Sequence, residues 1–388
     1  MKILFLDQSG KLGGAELSLT DLANFYRDNC LVGLFCDGSF KELLEQKNIP
    51  VTVLTNQKIN VRKTSSIIDS LGSISSIIPL IAKVAKLARN YDLIYANTQK
   101  ALVIGALASI LSRRPLVYHL RDILSAEHFS RTNRWIAVTL ANRFSSLVIT
   151  NSKATQAAFI EAGGRIDLTT VVYNGFEPNN YTIPEFNSHQ IRQKIGLEQQ
   201  FIVGHFSRLS PWKGQHILLE ALAECPSDIA AIFVGDALFG EQDYVEYLHQ
   251  QVTALNLEER VKFIGFRSDI VPLMKACDLI AHTSTAPEPF GRVIVEAMLC
   301  DRPIVASAAG GVIELIETDK TGWLFSPGNS QQLAQIISNC YNQPEKIQTI
   351  VNQAKIQATQ HFDLQTINHQ INQLLHQILS SSKDIKSG

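Results

Sequence analysis

Thr285-Ala-Pro-Glu-Pro-Phe-Gly-Arg-Val-Ile-Val-Glu-Ala-Met298 sits between two short apolar runs, Asp278-Leu-Ile-Ala-His282 and Pro303-Ile-Val-Ala-Ser307. Each run reads as a buried strand. Pro287 and Pro289 keep the stretch between them out of a helix, because each lacks an N–H and drives the residue before it toward extended geometry. From Gly291 the pattern turns helical: Val293, Ile294, Ala297 and Met298 fall at helical spacing. Glu288 is therefore expected in a strand-to-helix loop and Glu296 inside the helix that follows. The N–H groups of Phe290, Gly291 and Arg292 at that helix start make a seat for an anion. With a carboxylate on each side, the seat fits a ligand with phosphate in its middle and hydroxyls at both ends, as in a nucleotide-sugar. The plainer alternative is a loop carboxylate and a solvated helix carboxylate.

Upstream, Phe201-Ile-Val-Gly-His-Phe-Ser207 begins an alternating set of strands and helices. Arg208-Leu-Ser-Pro-Trp-Lys213-Gly214 follows it and opens a helix to Glu224. Two cations at a helix start, added to the helix dipole, make a clamp for a diphosphate; a capped surface turn is the alternative. Ile229–Gly235 and Val261–Gly265 are the next strands. Phe266-Arg267 follows the second, and Asp269 is expected to cap the helix through Ala276. Ala308-Ala-Gly-Gly-Val-Ile-Glu314 is a glycine loop at another strand end and is expected to close the same pocket. Helices are expected to fill 330–380.

The first half alternates in the same way. Residues 2–7 read as a strand rather than a signal peptide. Ser9-Gly-Lys-Leu-Gly-Gly-Ala-Glu16 follows, then a helix from about Ala15 to Arg27. A glycine loop there lets backbone N–H groups approach an anion, although Gly13-Gly14 matches neither a G-x-G-x-x-G fingerprint nor a P-loop. Strands are expected at Leu31–Cys36, Val51–Thr55, Asp92–Asn97, Pro115–Leu120 and Ser146–Ser152. Such alternation implies a parallel sheet with helices on both faces, and ligands at the carboxyl ends of the strands. Those ends carry Asp7, Asn97, Thr98, His119, Arg121, Asp122 and Asn151. His119 is either a structural or an active-site histidine. It has no His or Cys partner at zinc-ligand spacing. Residues 58–90 differ in texture. Lys58–Lys63 is basic and Ser65–Ser76 is rich in serine and isoleucine. Over 79–89, Leu80, Ile81, Val84 and Leu87 share one helix face, and Lys83, Lys86 and Arg89 the other. That helix either faces a core or lies on an anionic membrane.

A chain of 388 residues implies two domains. We place the first at 1–175, ending at the turn Asn174-Gly175. A linker covers 176–200, with a short helix from Gln190 to Ile195 closed by Gly196. The second domain spans 201–360. Residues 361–388 supply a helix from about Asp363 to Leu379 that packs back on the first domain, and a frayed polar tail from Ser380. Hydrophobic residues make up 45% and mean hydropathy is near zero, as in soluble globular proteins. No run reaches the length of a membrane span. The six cysteines include no Cys-x-x-Cys pair, which points to reduced, buried thiols and a cytoplasmic location. Residues 1–175 carry 20 lysines and arginines against 13 aspartates and glutamates; the remainder carries 15 against 23. The basic first half either meets an anionic partner, such as a lipid-linked phosphate or the inner membrane face, or is unpatterned surface charge. No nucleic-acid partner is expected.

Glu288-Pro-Phe-Gly-Arg-Val-Ile-Val-Glu296 resembles the Glu-x7-Glu donor motif of retaining GT-B glycosyltransferases, the large "group 1" family 4 that contains bacterial mannosyl- and glucosyltransferases and sucrose synthase-like enzymes. The resemblance extends to Gly13-Gly14, to Arg208 and Lys213, and to Asn174-Gly175, in order over nearly the whole chain. It implies an α/β fold of two doubly wound Rossmann-like domains facing across a cleft. It implies a UDP-, GDP- or ADP-sugar donor and a glycan or lipid-linked acceptor, with retention of configuration and no metal or other cofactor. His119, Arg208, Lys213 and Glu288 would be catalytic. Gly13, Gly14, Ser207, Phe266, Arg267, Phe290, Gly291, Arg292, Val293 and Glu296 would bind the donor, with Glu288 on the sugar and Glu296 on the ribose. Asn97, Thr98, Arg121 and Asp122 are acceptor-side candidates. The two glutamates do not read as a retaining hydrolase pair: those carboxyls stand about 5–5.5 Å apart, whereas eight helical residues rise roughly 12 Å. Three rivals stay open: an epimerase of the same fold, a nicotinamide dehydrogenase, which lacks its fingerprint here, and a non-catalytic sugar-binding protein.

Overall fold

The structure is a computed structural model that describes residues 1–55, 74–126, 129–238 and 240–387. The basic run Lys58–Lys63 and most of Ser65–Ser76 lie outside the described residues. The chain divides into two compact units, Met1–Gly175 with Leu364–Gly388, and Phe176–Asp363.

Among the described residues, the first unit holds seven strands: β1 (Ile3–Asp7), β2 (Cys30–Leu34), β3 (Val51–Val53), β4 (Leu93–Ala96), β5 (Leu116–Leu120), β6 (Ser145–Thr150) and β7 (Thr169–Val171). They form one parallel sheet in the order β3-β2-β1-β4-β5-β6-β7. Order reverses between β1 and β4, so the carboxyl ends of these two strands flank the switch point. Leu4 and Leu6 join one apolar layer with Ile94, Ala96, Leu116 and Tyr118. Ile3 and Phe5 join the opposite layer with Val32, Leu34, Tyr95 and Val117. Burial on both faces is why these strands read as unbroken apolar runs.

Helix Ile74–Ala88 resolves the ambiguity over 79–89. Leu80, Ile81, Val84, Ala85 and Ala88 lie in the first layer, so its apolar face belongs to the core. Lys83 Nζ donates to Leu54 O at 2.8 Å, while Lys86 and Arg89 are exposed on the basic side. The last helix runs Leu364–Ser387 and does not stop near Leu379. Ser380 and Ser381 lie within it, and their hydroxyls donate back to the carbonyls of His376 and Gln377. Ile367, Ile371 and Leu375 of this helix join the layer of Ile3 and Phe5, and Tyr26 donates to Asn372 Oδ1 at 2.8 Å.

The second unit repeats the plan with β8 (Phe201–Phe206), β9 (Ile229–Val234), β10 (Val261–Gly265), β11 (Leu279–His282), β12 (Ile304–Ser307) and β13 (Trp323–Phe325). Their order is β10-β9-β8-β11-β12-β13, with the switch point between β8 and β11. Residues 176–200 lie in this unit, where Arg192 of helix Ser188–Ile195 pairs with Asp278 at 2.7 Å. Phe176 and Asp363, the first and last residues of the unit, form a parallel bridge. Asp269 does not cap the helix Ile270–Ala276: its carboxylate faces Arg267 instead, which donates through Nε at 2.8 Å and Nη2 at 2.6 Å. Among the described residues, no helix is long and apolar enough to cross a membrane. All six cysteines are free thiols.

Candidate active site

In the second unit, the loops after β8 and β11 lie directly on one another. Gly214 has φ +69°, and a Cβ there would stand 2.0 Å from Thr283 O, so only glycine allows this approach. Thr285 N donates to Trp212 O at 2.8 Å. Thr283 Oγ1 lies 2.8 Å from Gly214 O, and 3.0 Å from both Lys213 O and His205 Nε2. Gln215 Nε2 reaches Ser207 Oγ and Arg208 O, both at 2.9 Å, which fixes the turn that carries Arg208.

This stitching brings Lys213 Nζ to 2.7 Å from Glu288 Oε2. The same oxygen accepts from Ser284 Oγ at 3.0 Å and lies 3.4 Å from His282 Nε2. Three neighbours on one oxygen leave Oε1 as the carboxylate atom with capacity for a ligand hydroxyl. Burial opposes ionisation of Glu288, but the Lys213 charge and the bonds from His282 and Lys213 hold it well below the usual carboxylate range. His205 beneath them stays neutral: burial, His282 and Lys213 push it down to about 3. Lys213 Nζ stands 4.1 Å from the centroid of the Trp212 ring, and the Arg208 guanidinium 5.5 Å from it. One indole therefore contacts both candidate diphosphate cations.

Helix Arg292–Leu299 starts at Gly291, with φ +92° and no side-chain cap. Glu288 precedes it and Glu296 lies within it. Glu296 Oε1 is 3.4 Å from Arg292 Nε, and the Arg292 guanidinium sits 4.5 Å over the Phe176 ring. Phe290 stacks on Phe176 at 6.2 Å and meets Phe362 edge-on. Val293 is half-buried. The loop after β12 reaches the same place. Gly310 has φ +67°, a Cβ there would lie 2.3 Å from Glu288 O, and Gly311 N donates to that carbonyl at 2.8 Å. Phe266 is 60% exposed, and Arg267 turns back on Asp269. No hydrogen bond or ion pair among the described residues links either of them to Lys213 or Glu288.

In the first unit, the strand ends gather a second polar cluster. Asn97 Nδ2 donates to Asp7 Oδ2 at 2.7 Å, and Arg121 donates to Asn97 Oδ1 at 2.6 Å and to Asn174 Oδ1 at 2.8 Å. Thr98 instead caps helix Gln99–Ser112, accepting from Ala101 N. Asp122 is exposed. Gly13 precedes helix Gly14–Phe25 as its cap, and a Cβ on it would lie 2.8 Å from Glu16 Oε2. Burial raises Asp7 to about 6 and, with the Asp7 charge, Glu16 to about 8. His119 is buried, with Nδ1 2.5 Å from the Tyr95 hydroxyl and, among the described residues, no partner for Nε2. Among the described residues, no three His, Cys, Asp or Glu side chains group to hold a metal ion.

The model of "Glycosyl transferases group 1" matches residues 187–357, and that of "Glycosyltransferase Family 4" matches residues 12–180. The crystal structure of Anabaena Alr3699/HepE in complex with UDP-glucose is 61% identical and superposes with a TM-score of 0.91, covering 97% of this chain and all of that one. The chain belongs to the group 1 glycosyltransferases. Spore coat protein SA of Bacillus subtilis is 32% identical over 213 residues, 51% of this chain and 56% of that protein. The putative glycosyltransferase YtcC of the same species is 28% identical over 49% of each. The chain thus spans about half the length of the curated relatives it matches. Sucrose-phosphate synthase of Thermosynechococcus elongatus, 18% identical with a TM-score of 0.83 over 98% of this chain and 99% of that one, shares the fold. The expected GT-B fold class therefore holds.

Several residues of this candidate site escape sequence reasoning. His282 and Ser284 flank the strand end before the Glu288 loop, and only their exit from β11 beside that loop marks them. Trp212 lies between the two cations in sequence, but a lone tryptophan reads as packing. Glu16 and Tyr95 carry no spacing signal at all: Glu16, in the first turn of helix Gly14–Phe25, feels the charge of Asp7 at the end of β1, and Tyr95 on β4 meets His119 on β5.

Proposed function

We propose that this glycosyltransferase moves a glucosyl unit from UDP-glucose to an acceptor hydroxyl, with retention of anomeric configuration and without a metal ion. The geometric observation that carries the reading is the Lys213–Glu288 pair. It sets a cation suited to a diphosphate beside a carboxylate suited to sugar hydroxyls, at the uncapped start of helix Arg292–Leu299. Identity of 61% over 97% of the chain to a protein crystallised with UDP-glucose supports the choice of donor.

In the reaction, the bond from the anomeric carbon to the diphosphate oxygen breaks and a bond to the acceptor oxygen forms. Negative charge grows on the leaving diphosphate and positive charge on the sugar ring. Lys213 and Arg208, fixed by Trp212 and the Thr283 contacts, stabilise the first without reorganising. Glu288, ionised across the working range, binds sugar hydroxyls through Oε1 and sits close enough to favour the second. Glu296 binds the ribose. The first unit, with Asn97 and Arg121 at its strand ends, takes the acceptor, a glycan or lipid-linked hydroxyl. Its basic balance supports an anionic acceptor and peripheral association with the inner membrane face from the cytoplasm.

A second reading has a specific observation behind it. Asp7 and Glu16, raised to about 6 and about 8, bracket neutral pH as an acid/base pair would. An epimerase of the same fold would use such carboxyls. The test is titration and product mass spectrometry with UDP-, GDP- and ADP-sugars, each with and without acceptor sugars. Transfer from UDP-glucose that requires an acceptor supports the transferase. Isomerised nucleotide-sugar formed without any acceptor supports the epimerase.

A further inference from the structure

His282 takes no part in the reaction steps, yet its ring lies against a carboxylate that does. It ends β11 and is 5% exposed, and Ser284, two residues on, is 1% exposed. Ser284 Oγ lies 3.0 Å from Glu288 Oε2 and 3.2 Å from His282 Nε2, and Nε2 lies 3.4 Å from that same carboxylate oxygen. The three atoms form a closed triangle. Glu288 is ionised, so Oε2 only accepts. Ser284 brings one hydroxyl hydrogen. Were Nε2 unprotonated, it and Oε2 would compete for that hydrogen, and Nδ1–H would be a buried donor with no partner among the described residues. With the proton on Nε2, Ser284 donates to Oε2, Nε2–H donates into the pair, and the one idle group is the Nδ1 lone pair. Buried polar groups favour the arrangement with fewer orphans.

Lys213 Nζ reaches the same Oε2 at 2.7 Å, but it does not by itself fix the carboxylate. An ammonium on a flexible stem acts as a point charge, and the terminal torsion of a glutamate is broad and roughly two-fold. A diphosphate beside Lys213 would also draw on its charge. Donors at the end of β11 are rigid and stay in place when a ligand arrives. We propose that His282 is a positioning residue: with its proton on Nε2 it sets, together with Ser284, the rotation of the Glu288 carboxylate, so that Oε1 faces the sugar hydroxyls of the donor. His282 therefore contributes to affinity for the sugar and not for the nucleotide. The sugar clause rests on the proposed donor; the place of the proton does not.

The test titrates UDP and UDP-glucose into the full chain and its variants, with each melting temperature measured alongside. His282→Phe, which keeps a ring but no N–H, should bind UDP within about twofold of wild type and UDP-glucose about tenfold more weakly. His282→Gln, whose amide nitrogen falls near the place of Nε2, should recover most of that loss. His282→Asn, whose shorter amide does not reach Glu288, should not, and this pair decides the matter if the Phe variant does not fold. In a Glu288→Gln background, changing His282 should cost no further affinity for UDP-glucose, because its effect runs through that carboxylate. Long-range proton–nitrogen spectra of 15N-histidine-labelled protein, with the His282 signals assigned by their loss in His282→Gln, should show a protonated Nε2. Equal weakening of UDP and UDP-glucose, an Asn variant as good as Gln, or additive losses in the double variant would each overturn the positioning role. If wild type binds no sugar-nucleotide, the donor reading fails and the sugar clause with it, whereas an unprotonated Nε2 overturns the His282 assignment whatever the ligand.

Discussion

Lys213 and Glu288, 75 residues apart in the chain, meet at 2.7 Å on a single carboxylate oxygen that Ser284 and His282 also approach. The pair is nearly closed to solvent, with the Glu288 side chain 13% exposed. Removing either partner leaves the other's charge without its counterpart.

Lys213→Met should therefore lower turnover by about tenfold or more and destabilise the fold by about 1–3 kcal/mol. The double variant Lys213→Met/Glu288→Gln should regain stability but not turnover. Chemical denaturation with parallel initial rates separates the two effects. A double variant whose loss of stability equals the sum of those of Lys213→Met and Glu288→Gln alone would show that the pair contributes nothing beyond its separate members.

Arg208→Ala should also cost about tenfold or more in turnover while the fold persists. Trp212→Leu should weaken UDP binding by less than either cation does, because it loosens Arg208 and Lys213 without removing charge. Isothermal titration of UDP gives the order. Full UDP affinity in both Arg208→Ala and Lys213→Ala would remove the diphosphate role.

Both Rossmann-like sheets were legible because strands buried on two faces leave continuous apolar runs, such as Leu4–Leu6 and Ile202–Val203. The Glu288–Glu296 stretch was legible because Pro287, Pro289 and Gly291 force a loop and then a helix. Contacts made across strand ends were not legible. Nothing in the spacing of Tyr95 and His119, or of Lys213 and Glu288, says that parallel neighbours set them side by side. Asp269 misled because an Asp before a helix is usually its cap, whereas Arg267 two residues away offers two charged donors at once. The serine-rich end misled because serine in a helix can return its hydroxyl to the preceding turn.

The Asp7–Glu16 cluster sets a pH dependence of stability. Glu16 rises from 4.5 to about 8, first through burial and then through Asp7. The native state thus holds this proton more tightly than the unfolded chain. The resulting stability is complete below pH 4.5 and is lost as pH climbs through 8. Asp7, raised from 3.8 to about 6, adds a smaller loss at lower pH. Each tenfold displacement of the proton equilibrium carries about 1.4 kcal/mol. Glu16→Gln should melt higher than wild type at pH 8 and flatten the profile between pH 5.5 and 8. A variant that melts lower at both ends would show that the Glu16 carboxyl is held by something other than its proton.

Turnover should survive excess EDTA if Arg208 and Lys213 supply, as proposed, the positive charge that a metal would bring to a diphosphate. Activity lost on chelation and restored by magnesium or manganese would assign that neutralisation to an ion.

The most direct measurement is titration of UDP and of UDP-glucose into wild type, Glu288→Gln and Glu296→Gln. A carboxylate on ribose hydroxyls binds nucleotide with or without a sugar, and one on sugar hydroxyls acts only when the sugar is present. Each such bond is worth about 1.5–3 kcal/mol, or roughly ten- to a hundredfold in affinity. Wild type should bind both ligands. Glu296→Gln should weaken both alike. Glu288→Gln should weaken UDP-glucose while sparing UDP, because it also frees Lys213 from its counterion. No saturable binding of either ligand to wild type, or a Glu288→Gln variant that loses UDP as severely as Glu296→Gln does, would contradict a donor site built on the Lys213–Glu288 pair.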